Sequence, residues 1–342
     1  MSTRATAGRA RLALHVTAVG AVLALTAACG TESDAPGLAT EEPQAEECQG
    51  ADGEYLIGMS QANVAEPYRQ QMDDDIEAAA GEVDQFEVVF ADAAQDNSKQ
   101  VSDVENFLTQ GIDLLIISPN EAAPLTAVVE RAYNEGIPVI VLDRQIESDS
   151  YTQFIGANNV DIGRAAGEYV ATELLPDGGT VVELKGLAGA TPAQERSDGF
   201  AEGIAANPGV EIIAEGTGDW LRELGQSQFE AILQAQPQID VVYAHNDPMA
   251  EGAYLAAQAA GRAQDMSFIG IDALPIPSGG IKAVEEGRLS ATFVYPTGGA
   301  EAIDTAQQIL VDCAEVDKEL ALETERITSD NAAEVYARNA TS

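Results

Sequence analysis

Apolar residues in this chain follow two rhythms. Short runs rich in β-branched residues, Tyr55 to Ser60, Phe86 to Ala91, Asp113 to Ser118, Pro138 to Leu142 and Tyr151 to Gly156, read as strands. Helical-period stretches near Pro67 to Gly81, Ser98 to Gly111 and Pro124 to Gly136 lie between them, and the three glycines fall where helix C-terminal caps belong. The pattern then restarts with helix Asn158 to Leu175, strand Thr180 to Leu184, a capping box Thr191-Pro192-Ala193-Gln194 leading a helix to Ala206, and strand Val210 to Ala214. Helix Leu221 to Gln236, strand Val241 to Ala244, a helix from Met249 to Ala260 and strand Ser267 to Ile271 follow. Ser290 to Tyr295 reads as a strand, Gly298 to Val311 as a helix and Glu323 to Thr328 as a last strand. Such alternation predicts right-handed βαβ units, and two runs of it predict an α/β protein of two doubly wound, parallel-sheet lobes.

Several strands stop abruptly at polar residues. Val241 to Ala244 gives way to His245-Asn246-Asp247-Pro248, where Asp247 reads as a helix N-cap and Pro248 as the first helical residue. Leu142 runs into Asp143-Arg144, and Ile271 into Asp272. Open α/β sheets bind ligands in the crevice beyond the carboxyl ends of their strands, so these ends are the candidate binding positions.

The N-terminus has a different character. Arg4, Arg9 and Arg11 precede an apolar stretch from Leu12 to Ala28, the layout of a secretory signal peptide over residues 1–28. Leu25-Thr26-Ala27-Ala28-Cys29 resembles the bacterial lipobox, departing from it at Thr26, and implies lipidation of Cys29. Residues 29–52, rich in Glu, Pro, Ala and Thr, read as a flexible acidic tether. Cys48 and Cys313 then remain as an even pair in an oxidising compartment, where a disulfide between them is expected. With 57 acidic residues against 17 basic ones, the surface repels phosphate backbones and anionic headgroups, which excludes nucleic acid as a partner and leaves the lipid anchor as the only membrane contact.

Catalytic signatures are missing. Of two histidines, His15 lies in the leader, and His245 alone forms no zinc-like cluster with cysteine. No Gly-x-Ser-x-Gly elbow occurs, and the Gly-rich turn Lys185 to Thr191 lacks the Lys-Ser/Thr of a phosphate loop and any dinucleotide fingerprint. Neither metal nor cofactor is expected.

The strand-end motifs Gly58-Met59-Ser60-Gln61, Pro67-Tyr68-Arg69, Val141-Leu142-Asp143-Arg144, Glu195-Arg196-Ser197-Asp198-Gly199-Phe200, Gly218-Asp219-Trp220, Tyr243-Ala244-His245-Asn246-Asp247 and Gly270-Ile271-Asp272, in this order, resemble the periplasmic sugar-binding proteins of ABC transporters. Among these the chain is most similar to the ribose-binding type and its galactofuranose-binding branch. The resemblance implies the type I periplasmic-binding-protein fold, two lobes joined by a three-crossover hinge, with 53–157 and 296–323 in one and 158–295 and 324–342 in the other. Carried over residue by residue, it implies ligand contacts from Tyr68, Arg69, Asp143 and Arg144 in the first lobe and from Arg196, Trp220, Asn246 and Asp272 in the second. Gln95 matches less firmly, and Tyr295 stands where Gln is usual. Arg222, next to Trp220, fits a surface ion pair equally well.

These residue types suit a sugar. Asp accepts, Arg donates through a planar fork, Asn does both, and an aromatic face covers the C–H side of a ring. The resulting reading is a monomeric, lipid-anchored receptor on the outer face of the bacterial cell membrane. It captures a monosaccharide, galactofuranose or a related aldose, and delivers it to an ABC permease without catalysis. A sugar-sensing receptor for signalling and a sugar-acid receptor are the nearer alternatives. A sugar-responsive transcription regulator would need a DNA-binding segment where the leader sits, and a glycosidase could be built only on Asp143 and Asp272.

Overall fold

The computed structural model describes residues 49–339. The signal peptide, Cys29, Cys48 and all but the end of the tether lie outside the described residues. That end, Gly50–Asp52, forms a 3₁₀ turn, and the Tyr55 hydroxyl donates to the Gly50 carbonyl at 2.9 Å.

Two six-stranded sheets carry the chain. The first holds β1 (Tyr55–Gln61), β2 (Phe86–Asp92), β3 (Leu114–Ile117), β4 (Val139–Leu142), β5 (Gln153–Ala157) and β11 (Glu319–Leu322), in the order β11-β5-β4-β3-β1-β2 and parallel throughout. The second holds β6 (Gly179–Lys185), β7 (Val210–Thr217), β8 (Val241–Ala244), β9 (Ser267–Ile269), β10 (Ala291–Phe293) and β12 (Arg326–Thr328), in the matching order β12-β10-β9-β8-β6-β7. Its one departure is β12, antiparallel to β10. The chain passes between the sheets three times: after β5, after β10, and between β11 and β12.

Helices cover both faces, which is why β3, β4 and β8 are unbroken apolar runs, buried at every residue. In the first lobe α1 (Pro67–Ala80) packs on α9 (Gly299–Leu310), and α2 (Asn97–Gln110) on α3 (Ala122–Asn134). In the second, α4 (Asn159–Tyr169) packs on α5 (Thr191–Ile204), α6 (Arg222–Ala235) on α7 (Asp247–Ala259), and α8 (Gly280–Glu285) on α10 (Ala332–Asn339). The α4–α5 approach is so close that a Cβ on Gly199 would collide with the Val160 carbonyl, so only glycine fits there.

Local details differ from the sequence reading. The N-cap of α7 is Asn246, whose Oδ1 accepts from the Met249 amide at 3.0 Å, and Asp247 is the first helical residue. No capping box forms at α5. Its N-cap is Ala190, and the Thr191 hydroxyl instead accepts from the Gln145 amide at 3.0 Å. The expected strand Glu323 to Thr328 is in fact the end of a split: β11 completes the first sheet and β12 the second.

Candidate functional site

The carboxyl ends of the two sheets face each other across the cleft. The backbone there is unusual, since Ala94, Gln95, Asp143, Asp219, Trp220, Asp272 and Ala273 all have positive φ, a region that costs a side-chain-bearing residue energy and is retained where it aims a side chain. Between the ends lies a narrow polar chamber lined by Tyr68, Arg69, Asp143, Arg144, Arg196, Trp220, Asn246, Asp272 and Tyr295, together with Glu66 and Pro192. Gln95 stands outside this lining. Its left-handed backbone, φ 62°, accompanies a side chain that donates to the Asp219 carbonyl of the second lobe at 3.2 Å.

The first-lobe wall is knit by charge. Arg69, in the first turn of α1, gives Nη2 to Asp143 Oδ2 at 2.6 Å and Nη1 to the Ser118 hydroxyl at 2.6 Å. The other Asp143 oxygen accepts from the Tyr295 hydroxyl at 2.6 Å. Burial pushes the Asp143 carboxyl upward, but the Arg69 and Arg144 guanidiniums outweigh it and hold it below its ordinary value. Arg144 gives Nη1 to the Asn120 carbonyl at 3.1 Å and sits 3.9 Å from Glu66. Burial and the neighbouring Arg69 charge lower it to about 10, still protonated at neutral pH. Its Nε has no hydrogen-bond partner.

The second-lobe wall rests on a buried polar layer. His245 Nδ1 accepts from the Gly186 amide at 3.2 Å, which places the proton on Nε2, donated to Glu183 at 2.9 Å. Burial holds His245 below its usual value and therefore neutral. Its carbonyl accepts from Arg196 Nη1, and its ring lies behind Trp220, with centroids 6.3 Å apart. Trp220 lies so close to Gly186 that a Cβ there would overlap the indole. Asn246 spends Oδ1 on the helix cap and gives Nδ2 to the Trp220 carbonyl at 2.9 Å. The Trp220 indole nitrogen and Asp272 Oδ2 are buried without a partner. Burial, reinforced by nearby Asp247, raises Asp272 well above the carboxylate range.

A family model described as a periplasmic binding protein domain matches residues 57–312. The chain belongs to the periplasmic binding protein family. It is 33% identical over 259 residues to the ribose import binding protein RbsB of Bacillus subtilis, covering 75% of this chain and 82% of that protein. It is 32% identical over 231 residues to the galactofuranose-binding protein YtfQ of Escherichia coli, covering 65% and 72%. Among solved structures, the fructose-binding periplasmic domain of a hybrid two-component system superposes with a TM-score of 0.81 at 42% identity, covering 84% of this chain and 95% of that one.

In this periplasmic binding protein the two lobes touch beside the chamber. The Ala122 amide donates to the Gly189 carbonyl at 2.9 Å, and the Gln145 amide to Thr191 Oγ1 at 3.0 Å, each bond running from the first lobe to the second. Arg222 lies outside the chamber lining and pairs with Glu251. Glu66 and Asn159, which the sequence reading missed, carry no local motif. Among the described residues no group of three His, Cys, Asp or Glu could hold a metal ion, and no helix is long and apolar enough to cross a membrane.

Proposed function

We propose that the protein is an extracytoplasmic solute-binding lipoprotein that captures a neutral monosaccharide between its lobes and delivers it to an ABC permease. The observation that carries this reading is the chamber itself. Three guanidiniums, three carboxyl groups and three aromatic rings converge on one chamber between the sheets, and several polar atoms of these residues are buried without a protein partner. A buried donor or acceptor left unsatisfied costs about 1–3 kcal/mol, which a ring bearing hydroxyls would relieve. Closure follows because such a ligand touches both walls only in the closed state.

The ligand contacts assigned are Tyr68, Arg69, Asp143, Arg144, Arg196, Trp220 and Asp272, with Glu66 added. Asn246 has one amide hydrogen left for a ligand, and Gln95 is reassigned from ligand contact to closure contact. The lobes are taken as 53–157 with 296–323 and 158–295 with 324–342. Lipidation of Cys29 and a Cys48–Cys313 disulfide complete the reading. The closeness of Cys313 Sγ to the position of a Gly50 Cβ, 3.8 Å, only two residues from Cys48, supports the latter.

A sugar acid is the second reading, favoured by the unpartnered Nε of Arg144. A thermal-shift screen of the purified protein against D-fructose, D-ribose, L-arabinose, D-galactose, D-galacturonate and myo-inositol separates the two. A ligand at a hundred times its Kd adds about 2.7 kcal/mol of stability. A shift with a neutral sugar supports the first reading, a shift with galacturonate alone the second, and no shift removes both.

A further inference from the structure

Trp220 and Arg196 line the chamber, but what sets their positions lies one layer behind it. The Trp220 side chain leaves a left-handed turn, φ 70°, and stands against Gly186 and His245. A Cβ added to Gly186 would come within 2.2 Å of the indole, so the path of the backbone at Gly186 limits where the ring can lie. Gly186 is the first residue past β6, where the strand ladder ends, and the partner of its amide is His245 Nδ1 at 3.2 Å. A neutral imidazole accepts at Nδ1 only while its proton is on Nε2. Glu183, within β6, takes that proton at 2.9 Å. The carboxylate is held in turn by the Ser197 hydroxyl and by Lys185, 3.6 Å from its second oxygen. The backbone of His245 serves the other ligand contact. Its amide donates to the Leu184 carbonyl at 2.9 Å, and its own carbonyl accepts from Arg196 Nη1. Glu183 and His245 are both buried, and neither lines the chamber.

We infer that Glu183 and His245 are positioning residues for ligand capture, acting on the ligand only through Trp220 and Arg196. Glu183 selects the Nε2–H tautomer, which leaves Nδ1 free to hold the Gly186 amide. Gly186 then sets the plane of the indole, and the His245 carbonyl sets the Arg196 guanidinium. The protonation states agree with this order. Burial pushes the Glu183 carboxyl up, but the hydrogen bonds from His245 and Ser197 and the Lys185 charge hold it below its ordinary value, while burial keeps His245 neutral. Without an acceptor at Nε2 the imidazole can carry its proton on Nδ1, where it would oppose the Gly186 N–H, donor against donor.

The effect on affinity rests on the sugar-receptor reading, whereas the effect on Trp220 does not. Trp220 is the only tryptophan in the chain, so the protein's tryptophan fluorescence reports on this ring alone. Nitrogen NMR of histidine-labelled protein without ligand, with the His245 signal assigned by its loss in His245→Asn, is expected to find the proton on Nε2. A proton on Nδ1 overturns the inference, with no demand on the stability of any other variant. Glu183→Leu, which removes the acceptor, is expected to move Trp220 emission to longer wavelength and to raise its quenching by acrylamide. Glu183→Gln, whose amide oxygen can still accept from Nε2, should keep the wild-type spectrum. Unchanged emission in Glu183→Leu, or an equal change in both variants, overturns the inference. Titration calorimetry with D-fructose, D-ribose and D-galactose then reads binding. Glu183→Leu should weaken each sugar that the wild type binds by about tenfold, and Glu183→Gln by less than about threefold. A lower melting temperature in Glu183→Leu with sugar affinity intact would mark a merely structural role and overturn the positioning one. If the wild type binds none of the three sugars while the tautomer and emission results hold, the sugar reading is in difficulty and the hold on Trp220 stands.

Discussion

Asp143 and Asp272 occupy the same place in the two lobes. Each follows the fourth strand of its sheet in chain order, β4 or β9, each has positive φ, and each is buried and lines the chamber. Their chemistry is opposite. Asp143 has both oxygens taken, by Arg69 and Tyr295, and stays ionised. Asp272 has one oxygen without a hydrogen-bond partner among the described residues, and burial favours its protonated form. A pair with split proton affinity could be mistaken for a general acid and base. The ion pair with Arg69 argues otherwise, since it holds Asp143 ionised with a lowered proton affinity, which makes it a weak base. Under the proposed function the split serves something else: the Arg69 pair makes Asp143 part of an ordered wall, and the protonated form of Asp272 would give a ligand a carboxyl O–H as well as an oxygen.

The largest effect should come from neutralising the ordered one. Asp143→Asn leaves the Arg69 guanidinium buried without its counter-charge, a change that costs roughly 3–5 kcal/mol. At roughly 2–4 °C per kcal/mol for chains approaching this size, the melting temperature should fall by about 10 °C. Asp272→Asn replaces a neutral carboxyl by a neutral amide of the same shape and should stay within about 1 kcal/mol of wild type in stability. Thermal denaturation of both variants without ligand decides the matter, and equal losses would erase the distinction between the two aspartates.

Little of this contrast could be read from the chain. The lobes were legible because the strands are short apolar runs separated by amphipathic helices, and β3, β4 and β8 announce themselves by unbroken burial. By contrast β11, Glu-Leu-Ala-Leu, is an exposed edge whose place is set by pairing with β5, and α8 is only six residues long. In the site, strand ends and family motifs located Asp143, Arg196, Trp220 and Asp272. Glu66 is one acid among 57, and what marks it is a hydrogen bond from Asn63 at 2.6 Å and a place opposite Arg144, neither visible as a spacing. Protonation was illegible for the same reason: it depends on which guanidinium the fold brings close.

A smaller effect should follow pH. Burial raises Asp247 to about 7 and Asp272 well above its usual value, so the folded state holds protons that the unfolded chain has lost above about pH 4. Stability from these groups therefore falls as pH rises from about 4 through 7. Asp143 has the opposite sign, its contribution vanishing only below about pH 4, as it is protonated. The unliganded protein should melt a few degrees higher at pH 5 than at pH 8. Asp272→Asn should flatten that slope and Asp143→Asn should leave it, a crossing pattern that a scan of melting temperature against pH reads directly. A slope unchanged by Asp272→Asn would mean that this carboxyl titrates normally.

The smallest effect should come from Arg222, beside Trp220 in sequence yet outside the polar wall. Its side chain is 35% exposed, and its partner Glu251 keeps Arg288 at 2.8 Å when Arg222 is removed. Half-exposed pairs contribute about 0–1 kcal/mol, so Arg222→Ala should cost less than 1 kcal/mol in stability. Sugar affinity should not change, because the residue does not line the chamber. A tenfold loss of affinity would place Arg222 on the ligand. The second-lobe wall would then carry an ion-paired guanidinium beside Arg196, and the contrast between an ion-paired first wall and a second wall with neutral Asp272 at its mouth would fail at that point.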